Sequence, residues 1–151
     1  MKGKIIATSI SKSKGVKKKN VPMVELRENF GVLNDAHAGS GREVSFLAIE
    51  SIEKIRKKGL DVGPGDFAEN ITTKDIDLLT LNIGDRVKIG KDAVLAISQI
   101  GKECHTRCAI YYQAGDCVMP TEGIFATVLK AGVIRPGDEI VATQKKGESN
   151  V

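Results

Sequence analysis

The 151-residue sequence has no tryptophan, two tyrosines and four phenylalanines. That scarcity leaves the core to Ile, Val, Leu and Ala, and removes the aromatic platforms on which single-stranded nucleic acid stacks. Apolar runs are short. None approaches the ~20 residues of a membrane-spanning helix, and "IIATSI" near the basic N-terminus is too brief for a signal-peptide core. Cysteine is sparse and odd in number, at three. This argues against a disulfide framework and for a reducing compartment, so a cytoplasmic protein without membrane association is expected. There is no G-x-G-x-x-G, no Walker loop and no H-E-x-x-H, which leaves the usual nucleotide and zinc-protease chemistries without support.

Acidic residues are missing from the first twenty positions, which carry seven lysines, so the formal charge of +4 hides a remainder that is net −3. The basicity is one patch, Lys12, Lys14, Lys17, Lys18 and Lys19 around Gly15. It reads as a solvated hairpin tip, or as a docking patch for a phosphorylated cofactor or an acidic partner. With no recognition helix or arginine stripe beside it, nucleic-acid binding is not expected.

What is present describes an ordinary globular chain. Hydrophobic residues make up 41% and charged residues 28%, and this length suits one domain that buries about 70% of its unfolded surface. The expected division is a single domain over 1–142 and a polar tail over 143–151. "KIIATSI" (4–10) reads as a first strand and "VPMVEL" (21–26) as a second, with Pro22 favouring a strand start or edge. "NDAHAGSGREVSF" is loop chemistry. Ser45 then resembles an N-cap for a helix over about 46–58, with Ile49, Ile52 and Ile55 on one face and Gly59 as the stop. From residue 78, strands alternate with Gly-Asp turns. Thr121 would cap a second helix over about 122–130 ending at Gly132, and "GVIRPGDEIVA" closes the chain. The whole predicts a mainly β protein, a small closed or nearly closed β-barrel with a few helices.

All three cysteines fall in "GKECHTRCAIYYQAGDCVMP" (101–120), as Cys104-His105, Cys108 and Cys117. The four soft ligands a structural zinc site needs are nominally there, but the spacing lacks the paired C-x2-C geometry, so no structural zinc is expected. An iron–sulfur cluster would want a fourth thiolate. Two readings remain on residue chemistry. Arg107, His105 and Lys102 would lower the pKa of Cys108 and favour its thiolate; alternatively, free cysteine serves as buried filler, which suits Cys117 best.

"GVLNDAHAGSGREVSFLA", "GDFAENI", "GKECHTRCAIY" and "GDCVMPTEGIFATVLKAGVIRPGDEI", in this order, resemble the MOSC family, domains similar to the C-terminal part of molybdenum cofactor sulfurase. The resemblance spans about residues 3–142, in the short stand-alone bacterial form. It implies a barrel related to the barrel domain of pyruvate kinase. It also implies a central cysteine, here Cys108, that carries sulfur as a persulfide or ligates molybdenum. On the same basis His37 and His105 would move protons. Arg42, Lys102 and Arg107 would bind the molybdenum cofactor and its phosphate, Asn70 a pterin edge or oxo ligand. Glu69 would bind cofactor or orient Arg42. The pyridoxal-phosphate domain of the eukaryotic fusions is missing from this sequence, so a separate cysteine desulfurase or small donor would supply sulfur. A molybdoenzyme or a cofactor-biosynthesis protein would accept it. A cofactor chaperone and a reductase of N-hydroxylated compounds are the competing functions.

Overall fold

In a computed structural model, the described residues are 1–13, 16–36, 38–39, 43–101 and 122–143. They form eleven strands, β1 (Lys2–Ile10), β2 (Lys19–Val21), β3 (Val24–Arg27), β4 (Gly31–Val32), β5 (Val44–Ala48), β6 (Ile71–Lys74), β7 (Arg86–Ile89), β8 (Ala93–Ile100), β9 (Ile124–Lys130), β10 (Gly132–Ile134) and β11 (Glu139–Thr143). One helix, α1 (Ile49–Arg56), and one short 3₁₀ turn (Leu78–Thr80) lie wholly within the described residues. None of these helices is long and apolar enough to cross a membrane.

Seven strands close a barrel in the order β1-β6-β5-β9-β8-β7-β11, with β11 returning to β1. Closure works because the nine-residue β1 is shared. Its first residues pair with β11 (Lys2↔Val141), its middle with β6 (Thr8↔Ile71), and its last with β2 (Ile10↔Lys19). A closed barrel leaves no unpaired edge in the ring. Every barrel pairing is antiparallel except β5 with β6, the segment where the chain crosses over through α1. A small second sheet, β10-β3-β4, packs beside the barrel.

Alternation fills the interior. Ile5, Val44, Phe46, Ile71, Val87, Ile89, Leu95, Ile97, Ala126, Val128 and Ile140 belong to one buried cluster, the branched, aromatic-poor core the composition requires. Outside the wall, α1 lays Ile52 and Ile55 on Leu47, Phe67 and Phe125, a second cluster that also takes in Val62.

Two expected elements are corrected. The helix is shorter than 46–58, and Ser45 does not cap it. Residues 44–48 form β5, the N-cap is Ala48 without a side-chain cap bond, and Ser45 lies inside the strand. β5 is parallel to β6 and almost wholly buried, so both its faces are covered and its sequence VSFLA shows no clean apolar–polar alternation. The second helix over 122–130 is also absent: Ile124–Lys130 is β9, paired with both β5 and β8. Its branched Ile124, Thr127 and Val128 are stiff at χ1 and suit a strand. Gly132 is not a helix stop either. A Cβ there would meet the backbone nitrogen of Ala93 at 2.7 Å, so it is small because β10 crosses close over β8. Thr121 and the 143–151 tail, apart from Thr143, lie outside the described residues, as do all three cysteines, both histidines, Arg42, Lys102 and Arg107.

Candidate functional site

Of the candidate site residues, Glu69 and Asn70 are described, and both lie inside the protein. "GDFAEN" forms a tight turn ahead of β6. Gly65 takes φ +90° and Ala68 φ +65°, and Ala68 N–H donates to the Gly65 carbonyl at 3.0 Å. No side chain fits at Gly65, because its Cβ would collide with the carbonyl oxygen of Lys18. Glu69, fully buried, clamps this turn. Its Oε2 accepts from Gly65 N–H at 2.9 Å and from Thr72 Oγ1 at 2.8 Å, and its Oε1 accepts from Phe67 N–H at 3.2 Å. Burial pushes the Glu69 carboxyl above its ordinary range, and those hydrogen bonds pull the other way.

Asn70 joins three strands. Its Oδ1 accepts from Ser45 N–H and Ser45 Oγ, each at 3.1 Å, and its Nδ2 donates to the Ser9 carbonyl at 3.1 Å. Its backbone N–H donates to Ser45 Oγ and its carbonyl accepts from Ser9 N–H. The side chain thus bridges β1 and β5 from the start of β6. Satisfied buried amides of this kind hold one arrangement of neighbouring strands.

The loop that carries His37 and Arg42 is rooted at the same corner. Asp35 Oδ1 accepts from Ser11 N–H at 3.0 Å and pairs with Lys18 Nζ at 2.8 Å, with both side chains shielded from solvent. Lys18 also donates to Ser11 Oγ at 3.0 Å, and its backbone N–H donates to the Gly65 carbonyl at 2.8 Å. Ala36 N–H, next to His37, donates to the Ser11 carbonyl at 2.8 Å. Glu43, next to Arg42, is buried and accepts from Val128 N–H at 3.3 Å. The described flank of His37 therefore reaches the Glu69–Asn70 turn through Lys18 at the C-terminal end of β1, and the flank of Arg42 leads into β5, where Ser45 binds Asn70.

The roots of the cysteine segment are close along the wall. Gly101 N–H donates to the Gly123 carbonyl at 2.7 Å. Glu122 accepts from Ser51 Oγ at 2.6 Å and pairs with Lys54 at 3.0 Å on α1. Ile124 is opposite Phe46, and Phe46 is opposite Ile71, so the root lies two strands from β6, on the side of the wall nearer α1. Among the described residues no cluster of His, Cys, Asp and Glu could hold a metal ion. Ser9, Asp35 and Thr72 join this corner without a signal of their own in the sequence, and Ser45, expected as a helix cap, binds Asn70 instead. Asp35 stood two positions before His37 and could have been found there. Lys18 lay hidden in a run of exposed lysines.

The MOSC domain profile matches residues 33–141, from the His37 loop to β11. The chain belongs to the MOSC domain family. Its barrel is similar to the crystal structure of the YuaD protein from Bacillus subtilis, with TM-score 0.76 and 19% identity over 93% of this chain and 94% of that one. It is also similar to YiiM from Geobacillus stearothermophilus, with TM-score 0.70 and 20% identity over 95% and 76% of the two chains. For YiiM from Escherichia coli the values are 0.66 and 18%, over 96% and 71%. At these identities the likeness establishes the fold. Sequence comparison with curated proteins finds no match. In this MOSC barrel Asn70 ties β6 to β1 and β5, and Glu69 and the Lys18–Asp35 pair hold the adjoining turn and corner.

Proposed function

We propose that this MOSC protein binds molybdenum cofactor and carries sulfur for it, with Cys108 at the centre. The observation that supports this reading is that the His37 and Arg42 flanks lead, through Lys18 and Ser45, to the Glu69–Asn70 turn, in a chain with family membership established. The donor set fits the group. A thiolate at Cys108 suits a soft metal, and Arg42, Arg107 and Lys102 suit a phosphate, Arg as a bidentate fork. His37 and His105 are the proton carriers in this reading. Glu69 and Asn70 have their described hydrogen bonds directed into the protein. Their part is to hold the turn and the strands rather than to touch the ligand. The cofactor would supply the metal that the thiolate ligates.

Sulfur uptake needs no redox partner. The Cys108 thiolate attacks the outer sulfur of a donor persulfide, one S–S bond forms as another breaks, and the donor departs as its own thiolate. A cysteine desulfurase is the donor class and a molybdoenzyme or cofactor-biosynthesis protein the acceptor class. The setting is cytoplasmic, and residues 1–142 work as one domain. The test is mass spectrometry of the protein purified from its native host, measuring persulfide on Cys108 and bound molybdenum together. Both are expected in the native protein and both lost in Cys108→Ser. A Cys108→Ser variant with undiminished molybdenum and persulfide on Cys104 or Cys117 would refute the assignment. Molybdenum without any persulfide would favour a chaperone. Turnover of an N-hydroxylated base by the loaded protein would favour a reductase.

A further inference from the structure

The lysine-rich tip and the opposite end of the barrel carry complementary surfaces. At the tip between β1 and β2, Val16 is 46% exposed and is followed by exposed Lys17, with Lys12 and Lys19 also exposed nearby. At the other end, an open cleft of about 470 Å³ lies between α1 and the 3₁₀ turn. Leu78, Leu79 and Ile124 line it, and Leu79 is 42% exposed. Four carboxylates, Glu50, Asp75, Asp77 and Glu122, line the cleft with a single cation, Lys54. An apolar residue among cations thus has a counterpart in an apolar cleft among carboxylates, on a chain whose overall charge has the opposite sign to the cleft.

One copy cannot bring these surfaces together. Lys4 of β1 is opposite Lys74, next to Asp75, whereas Ile10 of β1 is opposite Lys19 at the tip. Six strand residues separate the two, about 20 Å at ~3.3 Å per residue. The tip of one molecule therefore does not reach its own cleft, and only the tip of another copy can fill it. We propose that the Val16 tip of one copy docks in the α1–3₁₀ cleft of a second copy, making a head-to-tail contact. Such a contact is heterologous: each molecule offers a tip and a cleft, so association continues into chains or closes into rings. Its charged surround makes it salt-sensitive, since exposed charges are screened within ~8 Å at physiological ionic strength.

Sedimentation velocity on the full chain tests this at about 0.02 M and about 0.5 M salt, where the screening length falls severalfold. The expected result is a weight-average mass that rises with protein concentration at low salt and returns to monomer at high salt. A tip variant, Val16→Asp/Lys17→Glu, and a cleft variant, Asp75→Asn/Leu79→Lys, should each be monomeric alone. Both alter exposed residues, and a thermal melt matching the parent shows that each is folded. Mixed together, each variant retains the surface the other has lost, so the mixture should form dimers and stop there. A parent that stays monomeric at low salt overturns the proposal, as does association that survives both variants. Association that appears only after residues 144–151 are removed would assign the cleft to that segment and likewise overturns it.

Discussion

Replacing Lys18 by Gln should destabilise the protein far more than replacing either neighbouring lysine. Lys17 and Lys19 are exposed, and surface substitutions away from special features usually stay within about 0.5 kcal/mol. Lys18 instead places its ammonium 2.8 Å from the Asp35 carboxylate with neither side chain reaching solvent. Removing one partner of a buried ion pair is strongly destabilising, by about 3–5 kcal/mol, because the remaining charge loses its closest counter-ion inside the protein. For a chain of this size each kcal/mol moves the midpoint by about 2–4 °C, so Lys18→Gln should melt about 6–20 °C below the parent. Lys17→Gln and Lys19→Gln should stay within about 2 °C. Urea titration followed by circular dichroism measures the loss, and an unchanged m-value would show that the unfolded state is not responsible. The double variant Lys18→Met/Asp35→Leu should lose less than the sum of its single variants, because neither charge is then stranded. If Lys18→Gln matches Lys17→Gln, or if the double variant is simply additive, the buried pair does not hold this corner together. From the sequence alone, all five lysines belong to one patch, read as a solvated hairpin tip or as a docking patch for an anionic cofactor or partner.

Other expectations follow from the same geometry. Asn70→Ala strands the Ser45 N–H and the Ser9 carbonyl, and at about 1–3 kcal/mol for each orphaned group it should lower the melting midpoint clearly. Glu69 has a raised folded-state pKa, so the native state binds more protons than the unfolded one. Its burial therefore lowers stability as pH rises from the unfolded carboxyl value of ~4.3 through the higher folded value. Glu69→Gln should flatten the stability–pH curve in that window, and an unaltered curve would show that Glu69 is not its source. Gly132→Ala drives a methyl against the Ala93 backbone and should cost about 1–3 kcal/mol, an overpacking effect read by chemical denaturation. Incubation with a chelator should leave the cooperative melt intact; unfolding on removal of one zinc per chain would reinstate a structural metal site.

The Gly-Asp turns, the alternating β7 and β8, and the branched core were legible because each rests on short-range chemistry. A β-turn needs its glycine locally, and a half-buried strand shows its period of two in its own residues. The order of the four motifs was likewise enough to recognise a MOSC chain, though order alone says nothing about which side chains touch. β5 and β9 were misread for the opposite reason. β5 is buried on both sides by the barrel wall and α1, so no clean alternation survives in its sequence. β9 presents cap-like and stop-like residues at its ends while its pairing with β5 and β8 overrides them.

At the site, residue types and spacing establish which chemical groups are on hand: one thiol in a cationic setting, two histidines and a carboxylate–amide pair before a strand. Only the tertiary structure decided that Glu69 and Asn70 point inward, since their partners Gly65, Thr72, Ser45 and Ser9 come together through turns and strand pairing. It also decided that Lys18 is buried while the described lysines around it, Lys12, Lys17 and Lys19, are exposed. Asp35 lies seventeen positions from Lys18, and a charge leaves water only where folding brings a partner of opposite sign within hydrogen-bond reach.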